Sequence, residues 1–314
     1  RYGVVAIPRK SPIALWRALR SSQAFIWGGG SLMQDTTSLA SPVYYAALMI
    51  LAQVLGLRTI AWAQGLGPLR RPSSRWLTRW VLARCQGVSV RDRASAALLR
   101  SWGWSQVTIA PDPVWALAGV TVPAWQDLPR PRLAVILRPC AWLTPDRLAA
   151  IATALRQVQA ETGAYILLIP FQPARDRPIA ETLAASIPAD RRQIVELADP
   201  AQLKGLLATV DLAIAMRLHG AIMAAAEGVP CFALAYDPKV LALMDDLGLA
   251  GWDLIHDQPR ADRHPADDAT AIAQIWLEAW RDQHPDQHQT QDQTQKPANP
   301  DPTRSAQTLS AQIL

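Results

Sequence analysis

The residues best placed for chemistry lie in the run Met216-Arg217-Leu218-His219-Gly220. It follows an apolar stretch, 210–215, and precedes a helical pattern at about 220–227. Arg217 and His219 then stand at a strand's carboxyl end, where the amides opening the next helix favour anions. Gly220 allows a ligand to approach the backbone closely. One strand–helix step later, Lys239 follows strand 230–236 and opens a helix. A cation is mildly unfavourable at a helix amino end, which points Lys239 towards a ligand. Arg138 closes strand 133–138, with Pro139 behind it. Three cations and a histidine at strand ends describe a site for a small, highly charged anion, since guanidinium groups pair bidentately with carboxylate or phosphate. The plainer alternative is a turn carrying a surface arginine and a packed histidine.

The first half offers glycines at strand ends. Gly28-Gly29-Gly30-Ser31 follows strand 23–27 and precedes Gln34-Asp35, and Gln64-Gly65-Leu66-Gly67-Pro68 follows strand 58–63. Both allow close backbone approach, and both are also compatible with tight turns. Arg91-Asp92 and Asp112 close two further strands, 86–90 and 106–110, with ligand contact and loop bracing both open. The glycines do not form GxGxxG or a Walker loop. GxSxG and HExxH are absent, and no carboxylate pair is recognisable as a glycosidase site.

These residues need elements to hold them. Short apolar runs alternate with amphipathic ones, which predicts strand–helix–strand units and parallel sheets. In the first half the helices fall at about 43–56, 73–84 and 93–101. Arg1–Arg9 reads as a strand followed by a basic loop, and Pro42–Leu57 as a buried helix too short to span a bilayer. Residues 121–132 carry three prolines and read as a linker. Beyond it, Thr144 and Pro145 open a helix over 145–160, strands follow at 164–170, 193–196, 210–215 and 230–236, and helices at about 176–186, 199–208, 238–247 and 267–281. The expectation is an α/β protein of two Rossmann-like, doubly wound domains, 1–122 and 133–282, with a cleft between them. A Gln- and Asp-rich tail, 283–314, reads as disordered. His284 and His288 in it have no neighbours to complete a metal shell, so no metal site is expected.

The 314 residues suffice for two domains, half are hydrophobic, and the formal net charge is +5. A basic bias suits phosphorylated metabolites or membrane headgroups. No Lys/Arg run with interleaved aromatics stands out, so nucleic acid is not expected. Cys85, Cys140 and Cys231 lie far apart without zinc spacing, and Cys140 and Cys231, in or beside apolar runs, read as buried small hydrophobes rather than nucleophiles. A reduced, cytoplasmic setting fits, and no signal peptide is visible.

The runs WGGGSLMQDTTSLASPVYY, AWAQGLGP, VSVRDRAS, APDP, VILRP and AMRLHGAIMAAAEGVPCFALAYDPKV, in this order from about residue 2 to 250, resemble the polysaccharide pyruvyl transferase family, in particular its CsaB-like branch. The resemblance implies a GT-B-like pair of Rossmann-like domains. It implies phosphoenolpyruvate as donor, no other cofactor, and a pyruvate ketal formed on a sugar of a cell-wall or exopolysaccharide precursor, free or lipid-linked. The implied setting is the cytoplasm, at the inner face of the plasma membrane; peripheral membrane association is left open by the residues themselves. By position, Arg138, His219 and Lys239 correspond to donor-site residues, with Arg217 and Gly220 beside them. His219 is the expected acid–base group. Gly28, Gly29, Gly30, Ser31, Gln34, Asp35, Gln64 and Arg91 fall on the acceptor and cleft side. The family opens with a strand and a GxxNxGDEA-type loop, and this chain starts after that point, so a missing first strand and loop are expected. The alternatives are a GT-B glycosyltransferase using a nucleotide sugar, which the EGVP turn at Glu227–Pro230 would suit, and an inactive truncated homologue.

Overall fold

The chain folds around two largely parallel sheets whose strands alternate with helices. The computed structural model describes residues 3–35, 38, 40–255, 258–259 and 268–282. The predicted disordered tail, with His284 and His288, lies outside them.

The first sheet holds β1 (Ala24–Trp27), β2 (Gly30–Met33), β3 (Arg58–Leu66), β4 (Gly87–Val90) and β5 (Thr108–Ile109), in the order β1-β3-β4-β5 with β2 also on β3. Its helices are α1 (Pro12–Arg20), α2 (Ala40–Val54), α3 (Pro72–Leu82) and α4 (Arg93–Ser101). Trp27, Met33, Ala61 and Val90 of the sheet form one core with Met49, Val81, Leu82 and Leu99 of the helices. Burial therefore follows the strand period of two: Thr59, Ala61 and Ala63 are buried, whereas Ile26 and Trp62 on the other face are half exposed.

Four expectations change here. Residues 4–8 are not a strand: among the described residues no strand pairs with them, and Val4 and Val5 are open to solvent. They lead into α1, whose first turn Ser11 caps by accepting from the Ala14 amide at 3.4 Å. The triple glycine is not a strand-to-helix turn. β1 and β2 are two segments of one edge, both alongside the nine-residue β3, and Gly28-Gly29 mark the break between them. Helix α2 is not buried all round: Pro42, Ala46, Met49 and Ala52 face inward, and Val43 and Val54 face solvent. Cys140 is only half-buried, packed against the second core, while Cys231 is buried and loss of hydration pushes its thiol up to about 12.

The second sheet holds β6 (Arg132–Ile136), β7 (Tyr165–Leu168), β8 (Arg192–Ile194), β9 (Leu212–Ala215), β10 (Cys231–Ala235), β11 (Gly251–Asp253) and β12 (Gln258–Pro259), in the order β12-β11-β10-β9-β6-β7-β8. Among the described residues only β11 and β12 pair antiparallel. Its helices are α5 (Pro145–Thr162), α6 (Pro173–Ala185), α7 (Pro200–Leu207), α8 (Leu218–Ala226), α9 (Pro238–Leu247) and α10 (Ala269–Arg281). Every residue of β6, β9 and β10 is buried, as a parallel sheet covered on both faces requires. Alternate residues serve the two sides: Leu133 and Val135 join the α5, α6 and α10 core, and Ala134 and Ile136 join the α7 and α8 core. Thr144 caps α5 with Pro145 at its start, and Gly163 closes it at φ 67°.

The segment between the sheets is held firmly. Arg132, which the sequence assigns to the linker, belongs to β6 and is fully buried. Its guanidinium donates to the carbonyls of Gln126, Leu128, Pro129 and Thr209. Lys204, also buried, donates to the carbonyls of Val114, Trp115 and Leu117 and pairs with Glu227 at 3.4 Å. It thereby fixes the stretch that follows Asp112 against the second sheet. Removing this ammonium strands buried carbonyls, so Lys204→Met is expected to lower unfolding free energy by about 2–3 kcal/mol. The measurement is the urea midpoint, and an unchanged midpoint contradicts the bracing role.

Candidate active site

Strand order in the second sheet reverses between β6 and β9: β6, β7 and β8 run one way from that point, and β9 and β10 the other. Ligands of open parallel sheets gather at the carboxyl ends beside such a reversal. Arg138 follows β6, Arg217 and His219 follow β9, and Lys239 follows β10. A cavity of about 440 Å³ opens there, lined by these four and, from the first half, by Gly30, Ser31 and Arg91. A second cavity, about 330 Å³, shares Ser31 and Lys239 and runs along Gly65–Arg70. A larger cavity, about 760 Å³, lies at the amino ends of β1 and β3, beside Gln23, Ala24 and Arg58, away from any such reversal.

Each side chain has a definite partner. Arg138 lies over the Tyr236 ring, 4.5 Å from its centroid, and donates to the Tyr236 hydroxyl at 2.5 Å and the Pro139 carbonyl at 3.3 Å. Lys239 Nζ stands 3.4 Å from Asp237, whose other oxygen accepts from the Lys239 amide and caps α9. Arg91 donates to Asp112 Oδ2 and to Ser31 Oγ, both at 2.8 Å. Gly65 makes room for it, because a Cβ there would meet Arg91 Nε at 2.8 Å. His219 Nε2 lies 3.8 Å from the same Asp112 oxygen, on a side chain 50% exposed. His219 sits in the first turn of α8, which starts two residues earlier than the sequence suggests.

His219 titrates below its ordinary value. Lost hydration is the main cause; Asp112 opposes it, and Arg91 and Lys239 reinforce it. The ring is therefore neutral near pH 7. Burial raises the Tyr236 phenol, against the pull of Arg138.

Several residues differ from their sequence assignment. Arg217 is expected to hold an anion, but its guanidinium grips buried Asp176 through Nε at 3.1 Å and Nη2 at 2.5 Å, and donates to Gln172 Oε1 at 3.2 Å. It lines the cavity as a fixed, largely neutralised group. Gly220 faces the interior: a Cβ would stand 2.9 Å from Ile136 Cδ1, so strand packing rather than a ligand requires the glycine. Gly29 lies against Pro113, 2.7 Å from such a Cβ, and Gly28 is exposed outside the cavity lining. Gln64 is buried and donates to the carbonyls of Gly28 and Trp62, bracing the strand break. Gln34 and Asp35 do not line either cleft cavity. Asp35 accepts from the amides of Arg70 and Arg71 at 2.8 and 2.9 Å; burial raises its carboxyl, and these amides more than offset that, leaving it lowered. Gly30, Ser31 and Arg91 do reach the cavity. Asp176, Gln172 and Tyr236 were not singled out; Tyr236 ends the run before Lys239, whereas nothing in the sequence ties Asp176 to Arg217, 41 positions away. Among the described residues no three His, Cys, Asp or Glu side chains converge to hold a metal.

The two facing Rossmann-like sheets define a GT-B-like enzyme fold. Over 93% of its length the chain is similar to a Listeria monocytogenes protein described as a UDP-N-acetylglucosamine 2-epimerase, at TM-score 0.62 and 12% identity, covering 76% of that protein. It is similar at TM-score 0.57 and 11% identity to UDP-GlcNAc 2-epimerase from Neisseria meningitidis bound to UDP-GlcNAc, covering 89% of this chain and 78% of that one. The complex of S. aureus MnaA with UDP matches at TM-score 0.59 and 11% identity, over 85% of this chain and 70% of that one. No curated protein matches the sequence. The family is shown by its own model: residues 3–238 match polysaccharide pyruvyl transferase, and the chain belongs to that family.

Among the described residues, Asp112 is the group that raises the His219 pKa. Asp112→Asn should therefore move the imidazole still lower, by removing the attraction and leaving Arg91 uncompensated. An NMR titration of the His219 ring reads this shift, and an unmoved or raised value contradicts the assigned geometry.

Proposed function

We propose that this protein transfers the pyruvyl group of phosphoenolpyruvate to a sugar of a cell-surface polysaccharide precursor, forming a ketal and releasing phosphate. The observation that carries the reading is Arg138. It has no carboxylate partner among the described residues and shares one cavity with Lys239 and His219. A guanidinium and an ammonium flanking a neutral imidazole suit a donor with a carboxylate at one end and a phosphate at the other.

In the reaction two sugar hydroxyls bond to the enol carbon and its bond to the phosphate oxygen breaks. One hydroxyl proton ends on the methylene carbon, making it a methyl group, and the other leaves with phosphate. Neutral His219 accepts a hydroxyl proton, and the departing phosphate then favours the charged ring. Arg138 and Lys239 hold the donor, Arg91 with Asp112 sets the electrostatics around His219, and Arg217 with Asp176 fixes the wall. The adjoining cavity along Gly65–Arg70 is the place for the acceptor, free or lipid-linked. No helix among the described residues is long and apolar enough to cross a membrane, and the reading puts the reaction in the cytoplasm, at the inner membrane face. No cofactor beyond the donor is needed.

The nucleotide-sugar reading has the UDP and UDP-GlcNAc complexes of the similar folds in its favour. Calorimetry separates the two without knowledge of the acceptor. Phosphoenolpyruvate should bind, and Arg138→Ala or Lys239→Ala should weaken it about 10–100-fold, as loss of a charge-assisted bond implies. Binding of UDP-GlcNAc in preference would overturn the proposal.

With an acceptor in hand, His219→Ala should lower turnover about 10²–10⁴-fold. Because the neutral ring is the working base, kcat/KM should rise with pH through the His219 titration, below the ordinary value of about 6.5, and be flat above it. Turnover that survives in His219→Ala, or an acid limb that persists there, removes His219 from this role.

A further inference from the structure

Charge is divided unevenly along the chain. Residues 1–91 carry twelve Arg and Lys and one acid, Asp35, whereas residues 92–314 carry nineteen against twenty-five. Asp35 is buried and its carboxylate is bonded to the Arg70 and Arg71 amides, so it offsets nothing at the surface. Among the described residues of this segment, every Arg and Lys except Arg91 is exposed.

Helices α1, α2 and α3 form one layer, with Arg17, Arg20, Arg75 and Arg79 on α1 and α3 and Arg70, Arg71 and Arg84 flanking α3. Leu19 of α1 packs with Ala52 of α2, and Gln53 of α2 donates to the Val81 carbonyl of α3 at 3.1 Å. On α3, Trp76 stacks on Trp80 with centroids 6.3 Å apart, and the Arg84 guanidinium lies 3.7 Å from the Trp80 centroid. The run from Arg70 to Arg84 is thus a basic stretch interleaved with tryptophan, of the kind the sequence reading did not single out. Helical spacing turns it into a ladder at every fourth position. On α1, Arg20 lies 5.9 Å from the Trp16 centroid, at the same spacing. Between them α2 has no charged residue and leaves Val43 60% and Val54 78% exposed. Trp76 is itself 65% exposed.

We propose that the α1–α2–α3 layer seats the protein on an anionic bilayer surface. Indoles belong at the headgroup level, surface arginines are attracted by anionic headgroups, and exposed valines between them gain from shallow insertion. Single-stranded nucleic acid is bound in a charged groove rather than across a helix layer with exposed valines. The layer also reaches the cleft: Arg70 and Arg75, at the start of α3, line the cavity that shares Lys239 with the anion site. A substrate held in the bilayer would enter from that side. This inference does not depend on the reaction assigned above.

The test is co-sedimentation of the full chain with phosphatidylcholine vesicles, with and without phosphatidylglycerol. Binding should require phosphatidylglycerol and fall as salt rises. Arg17→Ala combined with Arg79→Ala should weaken it about thirty-fold, at about 1 kcal/mol per arginine, with an unchanged thermal midpoint. Trp76→Ala should weaken it independently of salt. The proposal fails if anionic vesicles do not retain the protein, if the variants bind as well as the parent, or if duplex DNA is bound more tightly than the vesicles.

Discussion

One buried carboxylate ties the site together. Asp112 Oδ2 accepts from Arg91 of the first half and faces His219 of the second, while Oδ1 caps the short 3-10 turn Pro113–Ala116. The position of that turn depends in its turn on Lys204, which holds its carbonyls against the second sheet. A charged group out of water needs a partner. Arg91 supplies that partner from the first half, and Lys204 fixes the chain that follows Asp112 against the second sheet, so the carboxylate is anchored on both sides of the cleft.

The same demand separates structural cations from available ones. Arg217 answers Asp176 and Arg91 answers Asp112, so their guanidinium groups are oriented and largely neutralised before any ligand arrives. Lys239 has a looser partner in Asp237, and Arg138 leans on a phenol and a carbonyl. The cavity therefore has walls held by ion pairs and two less tightly paired cations, the two to which the proposal gives the donor. His219 is kept neutral by lost hydration and by the cations around it, as the proposed proton-accepting role requires.

The strand–helix alternation and the strand-end positions of Arg138, His219 and Lys239 were legible in the sequence because both follow from local rules: apolar runs of strand length, caps, and the break between strand and helix. Arg217 shows the limit. Its strand-end position was correct, but its role depends on Asp176, which reaches it from another strand–helix unit, and no local pattern reports such a pairing. The glycines of the first half misled for a related reason. Gly29 and Gly220 resemble ligand loops in sequence, yet Pro113 and Ile136, distant in the chain, occupy the space that a side chain there would need. Arg132 was assigned to a linker because prolines surround it, and only the fold reveals the carbonyls it serves.

The most direct measurement of the central claim is the His219 titration, followed by NMR in the presence of saturating phosphoenolpyruvate. An anion seated between Arg138 and Lys239 brings negative charge to the imidazole, so its pKa should rise above that of the free protein. A value that does not move when phosphoenolpyruvate is bound would place the donor elsewhere and contradict the account.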